Sequence, residues 1–435
     1  MTILDLEIEA RPWSEQTAAD DARYRVQLAY LFERSPFYQD KLAAAGFDGP
    51  EAAGGLDQIA ELPFTDKHEL RATCTPENPI GAHLCATPDE IVRIYSTSGT
   101  TGTPSYIPLT ASDVDNWVTG SSRSYAASGI TAGERIVSSY NAGPFVAGAA
   151  LASFERLGLC HIPVGTGNTE RLLTAIERLE PHAAVVTPSY GAYLIESAAE
   201  RGIDLHGSTV KRVLVAGEPG GGEPAFRAML ERGWGAQVTE AMGIGDIGVS
   251  LWGECEQRDG MHLGARGIVH PELIDPETGA ARALEDGAGG ELVLTHLRHR
   301  GAPLLRFRTR DHVVVSADPC PCGRTSPRIR CIGRTDDMLI VRGVNVFPSA
   351  VREVVNSFAP DVSGNILVRP RAQGVKQDPP LPVSVELAQG TTATGTLADA
   401  IGARLRSALI VQARVELVPW GSLGRSQYKS KLVER

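Results

Sequence analysis

Lysine is scarce in this 435-residue sequence, which contains only Lys41, Lys67, Lys211, Lys376, Lys429 and Lys431. With 42 Lys and Arg against 52 Asp and Glu, the formal net charge is −10. A protein that binds nucleic acid needs a basic surface to neutralise the phosphates, so we expect no nucleic-acid partner. The charge balance instead favours a protein that acts on small molecules.

Long apolar runs are also missing. No stretch of about 18 uncharged apolar residues occurs, so we predict no membrane-spanning segment and no membrane partner. The first ten residues are acidic and lack the basic and apolar regions of a secretory signal. The 7 cysteines are odd in number and widely spaced, which makes a disulfide framework a poor explanation for them. These absences together predict a cytoplasmic protein.

The order of apolar and polar patterns predicts an α/β fold. The first ninety residues have helical periodicity, and from Ile91 short apolar runs alternate with helical stretches, as in a mostly parallel, covered sheet. Residues 264–315 contain strand patterns separated by turns, which is typical of an antiparallel subdomain. After Gly333 a shorter pattern predicts a small α+β domain. We therefore expect a large domain of residues 1–333 and a small one of residues 334–435.

A loop rich in Gly, Ser and Thr follows the strand predicted at 91–95. Its glycines permit backbone conformations that direct N–H groups at an anion, and its hydroxyl groups add donors. No Gly-Lys-Ser or Gly-Lys-Thr follows, so it is not a Walker A loop. The alternative is a polar surface turn. The candidate phosphate-binding residues are Ser98, Gly99, Thr100, Thr101, Gly102 and Thr103.

This loop resembles the ATP loop of adenylate-forming enzymes, and the wider chain resembles their phenylacetate–CoA ligase branch. The matching motifs occur in the order expected of that branch and span nearly the whole sequence, which makes chance agreement very unlikely. They are Arg34–Tyr38, Leu62–Lys67, Ile91–Ile94, Ser96–Ser105, Ala216–Pro219, Ile274–Gly279, Gly290–Val293, Leu305–Asp311, Cys320–Thr325, Gly333–Met338 and Arg342–Pro348.

The resemblance implies a two-step reaction. A carboxylate attacks the α-phosphorus of ATP to give an acyl-adenylate and pyrophosphate, and a thiol, usually that of CoA, then displaces AMP. The first step is governed by positioning and by charge neutralisation at the phosphates, which requires a metal ion such as Mg²⁺. Asp246 stands where such enzymes usually have a Glu that helps to hold Mg²⁺. The alternative for Asp246 is a helix N-cap or turn residue.

The resemblance also implies a nucleotide site. Asp311 matches the residue that binds both ribose hydroxyls, a task that suits the two oxygens of a carboxylate. Its alternative is an ion pair with Arg308 or Arg310. By the same resemblance Gly217, Glu218 and Pro219 lie against the adenine and the acyl group, and Arg334 is a further nucleotide-binding residue. A strand end in an open α/β sheet is also where ligands bind.

Two further residues are implied to act in catalysis. Lys429, near the end of the chain, matches the catalytic lysine that stabilises charge on the transferring phosphoryl oxygen. A frayed, solvated terminus is the alternative for this segment. Asp336 matches the hinge about which the small domain rotates between adenylation and thioester formation. The domain boundary expected from the pattern falls at the same place.

Four residues predict a structural Zn²⁺ site: Cys255, His262, Cys320 and Cys322. Thiolate and imidazole are the ligands that Zn²⁺ prefers, although a gap of one residue in Cys320–Cys322 is shorter than usual. The alternative is a set of free thiols that pack as small apolar groups. We expect Cys74, Cys85, Cys160 and Cys331 to be packing residues.

The acyl pocket is predicted to be mainly apolar and to accept a flat ring. An aromatic carboxylic acid is the first choice of substrate, and a short aliphatic acid is the second. Phe145 has ordinary core packing as its alternative. By the resemblance, the lining residues are Tyr140, Phe145, Gly217, Met242 and Gly243.

Four positions depart from the pattern of the branch, namely Thr103 in place of a phosphate-loop Lys, Met242 in place of an aromatic residue, Gly245 in place of Ser or Thr, and Tyr428 in place of Gly. They either weaken ATP turnover or mark a specialised subgroup.

Three functions therefore remain: a CoA ligase, an adenylating enzyme that delivers its acyl group to a carrier-protein phosphopantetheine or an amine, and a non-catalytic binder. A homodimer is expected from the resemblance alone.

Overall fold

The structure is a computed structural model, and it describes residues 3–97, 105–140, 146–342, 344–372, 374–425 and 431–434. Within these residues the helices and strands alternate over the middle of the chain, the first element begins at Leu6 and the last ends at Val418. No helix of the described residues has the length and apolar composition needed to span a bilayer.

Helices occupy most of the first seventy residues and then separate the strands. In the described part of the chain they are α1 (Leu6–Glu9), α2 (Trp13–Arg34), α3 (Pro36–Ala44), α4 (Pro50–Ala53), α5 (Lys67–Ala72), α6 (Ala111–Ala127), α7 (Ala150–Arg156), α8 (Thr169–Leu179), α9 (Pro188–Glu200), α10 (Pro224–Trp234), α11 (Pro348–Asn356) and α12 (Gly395–Leu409).

The strands of the described residues fall into parallel and antiparallel groups. They are β1 (Ile91–Ser96), β2 (Tyr106–Thr110), β3 (Arg135–Ser138), β4 (Cys160–Pro163), β5 (Ala183–Val186), β6 (Arg212–Ala216), β7 (Gln237–Ile244), β8 (Gly248–Glu254), β9 (Met261–Leu263), β10 (Val269–Ile274), β11 (Ala281–Arg282), β12 (Gly289–His296), β13 (Phe307–Ser316), β14 (Arg328–Arg334), β15 (Leu339–Val341), β16 (Val344–Val346), β17 (Val362–Val368), β18 (Lys376–Gln377), β19 (Leu381–Leu387) and β20 (Ala413–Val418).

The first of two compact units comprises Met1–Pro163, Glu240–Thr309 and Val314–Ile329. Its strands β3 and β4 are parallel, whereas β1–β2, β7–β8, β8–β9 and β10–β12 are antiparallel pairs. The N-terminal helices enclose an apolar cluster that includes the buried residues Tyr24, Leu28 and Leu31. Burial of such side chains is the main favourable contribution to folding.

The second unit comprises Val164–Thr239, Arg310–Val313 and Arg330–Arg435. In it β5 and β6 run parallel, and every residue of β5 is buried, as expected for a strand covered on both faces. The C-terminal part pairs β17 with β19 antiparallel and β19 with β20 parallel. Helices α11 and α12 contribute Val351, Val355, Ile401 and Leu405 to the apolar core of this part.

The predicted α/β class is confirmed, and the parallel and antiparallel regions lie where the sequence indicates. Two elements are evident only in the structure. Strand β7 continues to Ile244, and the segment after Thr110 forms the 17-residue helix α6. Thr110 is the N-cap residue of helix α6, and its side chain forms a capping box with that of Asp113.

Candidate functional site

The hairpin of β1 and β2 supports the predicted phosphate loop. Its ladder includes the pairs Tyr95–Ile107 and Ser96–Tyr106. Beyond it, the Thr97 N–H donates to the Ser105 carbonyl oxygen at 3.0 Å, and the Ser105 N–H donates to Thr97 Oγ1 at 3.4 Å. The hairpin thus brings the two ends of the loop together. The predicted phosphate-binding residues themselves, Ser98, Gly99, Thr100, Thr101, Gly102 and Thr103, lie outside the described residues.

Asp246 lies in the tight turn between β7 and β8, so the alternative of a turn residue also describes its backbone. Its carboxylate does not cap a helix: Oδ2 accepts a hydrogen bond from the Lys67 ammonium at 2.7 Å. Gly243 is the last but one residue of β7, and a Cβ there would lie 2.0 Å from the Val249 carbonyl oxygen. Only glycine therefore fits where the two strands approach each other.

Lys67 and Asp246 line a cleft together with Arg71, His83 and Ser105. The Arg71 Nε–H donates to Ser105 Oγ at 3.1 Å, so two cations of α5 lie near the base of the phosphate loop. Burial lowers the pKa of His83 to about 4, and the nearby negative charge of Asp246 opposes this shift only in part. The imidazole is therefore neutral at pH 7, and Lys67 and Arg71 supply the positive charge of the cleft.

The predicted adenine segment follows β6. Gly217 has a φ of +99°, a conformation that glycine adopts without strain. The Glu218 carboxylate accepts hydrogen bonds from the backbone N–H of Ser189, at 2.8 Å, and from the Ser189 hydroxyl group, at the start of α9. A carboxylate is favourable there because the first N–H groups of a helix have no helical partner. The Pro219 carbonyl oxygen accepts from Arg352 Nη2 at 2.6 Å.

The structure brings Asp311, Arg334 and Asp336 together. Arg334 donates from Nε and Nη2 to the two carboxylate oxygens of Asp336, at 2.9 and 2.7 Å, and its Nη1 lies 3.6 Å from Asp311 Oδ1. Burial alone would lower the pKa of Arg334, but the carboxylates of Asp311, Asp336 and Asp337 raise it above its ordinary value. Arg308 pairs with Glu291, whereas Asp311 lies beside Arg334.

The predicted acyl-pocket residues are only partly described. Tyr140, two residues after β3, is 6 % exposed, and its carbonyl oxygen accepts from Ser138 Oγ at 3.3 Å. Met242 in β7 is 9 % exposed and pairs in register with Trp252 of β8. Both residues are therefore largely shielded from solvent. Phe145, Tyr428 and the predicted catalytic lysine, Lys429, lie outside the described residues.

The four predicted zinc ligands lie together, and all four are buried. Their candidate ligand atoms lie within 4.8 Å of one another. Cys255 Sγ is 3.7 Å from Cys320 Sγ, and Cys322 Sγ is 3.3 Å from His262 Nε2. On a tetrahedral Zn²⁺ with Zn–S bonds of about 2.3 Å, two sulfur ligands lie about 3.8 Å apart. The separation of Cys255 and Cys320 is therefore close to that of two sulfur ligands in a tetrahedral site.

The other four cysteines differ in their exposure to solvent. Cys85 is buried and Cys331 is partly buried, whereas Cys74 and Cys160 are exposed. The expectation that all four are packing residues is therefore wrong for Cys74 and Cys160. Cys160 is the first residue of β4, a strand in which no residue is fully buried.

Lys67 is a functional candidate that the sequence alone does not identify. In the sequence it is one of few lysines and the last residue of the motif Leu62–Lys67, and its partner Asp246 is 179 residues away. The available signal was local: Asp66 and Glu69 form a capping box, which fixes Lys67 as the first residue of a short helix.

The chain matches models of a known protein family. The model of the AMP-binding enzyme family matches residues 20–296, and that of the AMP-binding enzyme C-terminal domain matches residues 343–434. A phenylacetate-coenzyme A ligase of Thermus thermophilus is 33% identical over 441 residues, which cover 97% of this chain and 96% of the relative.

Solved structures agree. A 2-hydroxyisobutyryl-CoA ligase in the postadenylation state, in complex with 2-HIB-AMP, has a TM-score of 0.90 at 28% identity, covering 98% of this chain and 90% of that one. The same ligase in the thioesterification state, in complex with 2-HIB-AMP and CoA, has a TM-score of 0.71 at 28% identity, covering 98% and 91%.

The chain belongs to the adenylate-forming AMP-binding enzyme family. Within this family it is an AMP-forming acid–thiol ligase of the phenylacetate–CoA ligase-like branch, as the sequence motifs predict. Its reaction is therefore ATP-dependent formation of an acyl-adenylate followed by transfer of the acyl group to CoA.

Proposed function

We propose that this ligase activates an aromatic carboxylic acid of the arylacetic type and transfers it to CoA. In the first step a carboxylate oxygen bonds to the α-phosphorus of ATP and pyrophosphate leaves. In the second step the CoA thiol loses its proton, sulfur bonds to the acyl carbon, and AMP leaves. The observation that carries the aromatic assignment is the 33% identity, over 97% of the chain, to a phenylacetate-coenzyme A ligase.

The nucleotide is held by residues from several segments in this proposal. Asp311 accepts hydrogen bonds from the ribose hydroxyl groups, and Arg334, which lies 3.6 Å from it, orients that carboxylate. The segment Gly217–Pro219 lies against the adenine, and residues 98–103 bind the phosphates. Asp246 contributes a carboxylate ligand to Mg²⁺, which neutralises phosphate charge when it is bound. The cleft position of Asp246 supports this role.

The small C-terminal domain supplies Lys429 in this proposal. We assign residues 1–333 to the large domain and residues 334–435 to the small one, with the hinge at Asp336. Lys429 stabilises the charge on the α-phosphate during adenylation and leaves when the domain rotates. The match of residues 343–434 to the AMP-binding enzyme C-terminal domain supports a separate small domain.

A short aliphatic hydroxy acid is the second candidate substrate, because the 2-hydroxyisobutyryl-CoA ligase has a TM-score of 0.90. In this proposal Tyr140 and Met242, which are both buried, supply apolar surface to the ring of the aromatic acid. Carrier-protein and amine acceptors, a homodimer and a cytoplasmic location stay predictions.

Acid-dependent exchange of labelled pyrophosphate into ATP tests the proposal. With a panel of arylacetic, benzoic and short hydroxy acids, we expect exchange to be fastest with an arylacetic acid. Exchange with the hydroxy acids alone would replace the first substrate class by the second. No exchange with any acid would contradict adenylation by this chain.

We also propose that Cys255, His262, Cys320 and Cys322 bind a structural Zn²⁺ ion. Three thiolates and an imidazole form a typical structural donor set. The donors fit the ion in two respects: all are buried, and their candidate ligand atoms lie within 4.8 Å of one another. Four protein ligands leave no open position, so the ion would join the Cys255–His262 segment to the Cys320–Cys322 turn without taking part in catalysis.

Metal analysis of the purified protein tests the zinc site. We expect about one Zn²⁺ per chain, less than about one-tenth of that in Cys322→Ser, and a lower melting temperature in that variant. Cys160→Ser, which changes an exposed cysteine outside the cluster, is the control and should keep both values. Wild-type protein that lacks zinc, or Cys322→Ser with a full complement, would refute the site.

A further inference from the structure

Lys67 is held at the base of the phosphate loop by contacts with two chain segments. Its ammonium is 2.7 Å from Asp246 Oδ2 and 3.4 Å from Thr97 Oγ1. Thr97 directly precedes the phosphate-loop residues, and Asp246 is the proposed ligand of Mg²⁺. The ammonium therefore lies beside both groups that the proposed function assigns to the phosphates of ATP.

The position of Lys67 is fixed by its helix. It is the first residue of α5, whose capping box of Asp66 and Glu69 determines where the helix starts. The Lys67 side chain is 29% exposed and that of Asp246 is 14% exposed, so the pair lines a cleft open to a ligand and is not sealed in the core. An ammonium in such a position can exchange one oxygen partner for another without a change in the fold.

The phosphate loop has no lysine of its own, because Thr103 stands at that position. Release of pyrophosphate leaves negative charge on the departing group, and a cation close to that group stabilises the transition state. Lysines are few in this chain, and Lys67 is one that the fold brings into the cleft at the loop.

We propose that Lys67 binds the β- and γ-phosphate oxygens of ATP and the departing pyrophosphate, in place of the lysine that the phosphate loop lacks. Asp246 holds the ammonium at the base of the loop and shares the phosphates with it through Mg²⁺. This inference rests on the proposed adenylation reaction. It assigns the pyrophosphate end of the nucleotide to Lys67 and leaves the α-phosphate to Lys429.

Direct binding of MgATP, pyrophosphate and AMP, measured by calorimetry for the wild type, Lys67→Gln and Lys67→Arg, tests this proposal. A lost hydrogen bond to a charged group costs about 1.5–3 kcal/mol, so we expect Lys67→Gln to bind MgATP and pyrophosphate about 10- to 100-fold more weakly. AMP has no β- or γ-phosphate, so its affinity should change less than about threefold. Lys67→Arg should recover part of the loss, because it restores the charge.

Lys41→Gln is a matched control, because Lys41 pairs with Glu69 of the same helix α5 at 2.7 Å but outside the cleft. It should leave all three affinities unchanged. If Lys67→Gln binds MgATP as the wild type does, or loses AMP and MgATP affinity equally, Lys67 has only a structural role and the inference is wrong.

The same proteins separate this inference from the proposed function. A wild type that exchanges pyrophosphate, together with a Lys67→Gln variant of unchanged kcat/KM for ATP, would overturn the inference alone. A wild type that binds MgATP through Lys67 but exchanges no pyrophosphate with any acid would overturn the proposed function alone. A wild type that does not bind MgATP would overturn both.

Discussion

The carboxylate of Asp311 and the guanidinium of Arg334 illustrate how residues distant in sequence acquire a common role. Each is predicted separately from a motif, and the structure adds that they lie 3.6 Å apart, with Asp336 bound to the other side of the guanidinium. A change at the proposed hinge residue Asp336 therefore also changes the surroundings of the proposed ribose-binding carboxylate. The two sites are coupled by one arginine.

His83 provides a pH prediction at the scale of one residue. Burial lowers its pKa in the folded chain from 6.5 to about 4. Between these values the unfolded chain binds a proton that the folded chain does not, so the free energy of unfolding falls as the pH falls from about 6.5 to 4. One such group contributes at most about 1.4 kcal/mol per pH unit.

Urea unfolding at pH 7 and pH 5 measures this contribution. We expect His83→Gln to lose less stability than the wild type over this interval, although its stability at pH 7 is not expected to be higher. His68→Gln, at an exposed position of the neighbouring helix α5, should leave the pH dependence unchanged. An identical pH dependence in wild type and His83→Gln would contradict the assignment.

At the scale of elements, helix α11 is attached to the turn after β6 by one buried arginine. Arg352 donates to both carboxylate oxygens of Glu223, at 2.7 and 3.0 Å, and to the Pro219 carbonyl oxygen, and its guanidinium lies 5.0 Å from the ring centroid of Phe226. Its side chain is 3% exposed. If residues 334–435 rotate about Asp336, as proposed, these contacts must be exchanged for others.

Loss of this arginine leaves the partly buried Glu223 carboxylate, which is 13% exposed, without its partner, at a cost of up to about 3–5 kcal/mol. In Arg352→Ala we expect the amides of α11 and of residues 217–226 to exchange hydrogen for deuterium at least about tenfold faster than in the wild type. Arg369→Ala, which removes an exposed ion pair with Glu434, should change exchange little. Unchanged exchange in Arg352→Ala would mean that the pair does not hold α11.

Helix α6 is an element that the sequence pattern does not predict, and its serines are the reason. It carries buried Ser121, Ser122 and Ser124, residues that usually indicate a loop or an exposed face. Their hydroxyl groups donate to backbone carbonyl oxygens: Ser121 to Ser250, and Ser124 to Trp252 at 2.6 Å. Small polar residues let this helix pack closely against β8, and tertiary contacts rather than propensity keep it helical.

For the whole molecule, the sequence predicts the order of the helical, parallel and antiparallel regions, because apolar residues recur at a different spacing in each kind of region. Motifs likewise identify the candidate residues Asp246 and Asp311. Neither the spacing of apolar residues nor a sequence motif predicts which side chains are in contact. The Lys67–Asp246 and Asp311–Arg334 pairs are therefore seen only in the structure. The zinc cluster is predicted in part from the sequence. The residue types indicate which side chains could be ligands, but only the structure shows that they lie close together.

The scarcity of lysine takes on a specific meaning at this scale. Among the described residues arginine supplies most of the ion pairs, including the buried pairs of Arg306 with Glu272 and of Arg324 with Glu9. Its planar, permanently charged group suits such fixed pairs, whereas a flexible ammonium suits phosphates that arrive and leave. In this account the two lysines of the reaction, Lys67 and Lys429, serve opposite ends of the triphosphate.

Analysis of the reaction products is the decisive test of aromatic acyl-CoA formation by this ligase. The purified protein is incubated with ATP, Mg²⁺, CoA and phenylacetic acid, and the products are identified by mass spectrometry. We expect equal amounts of phenylacetyl-CoA, AMP and pyrophosphate, with no thioester when ATP or CoA is omitted. Formation of ADP in place of AMP, or no thioester with this or any other aromatic acid, would rule out the proposed reaction.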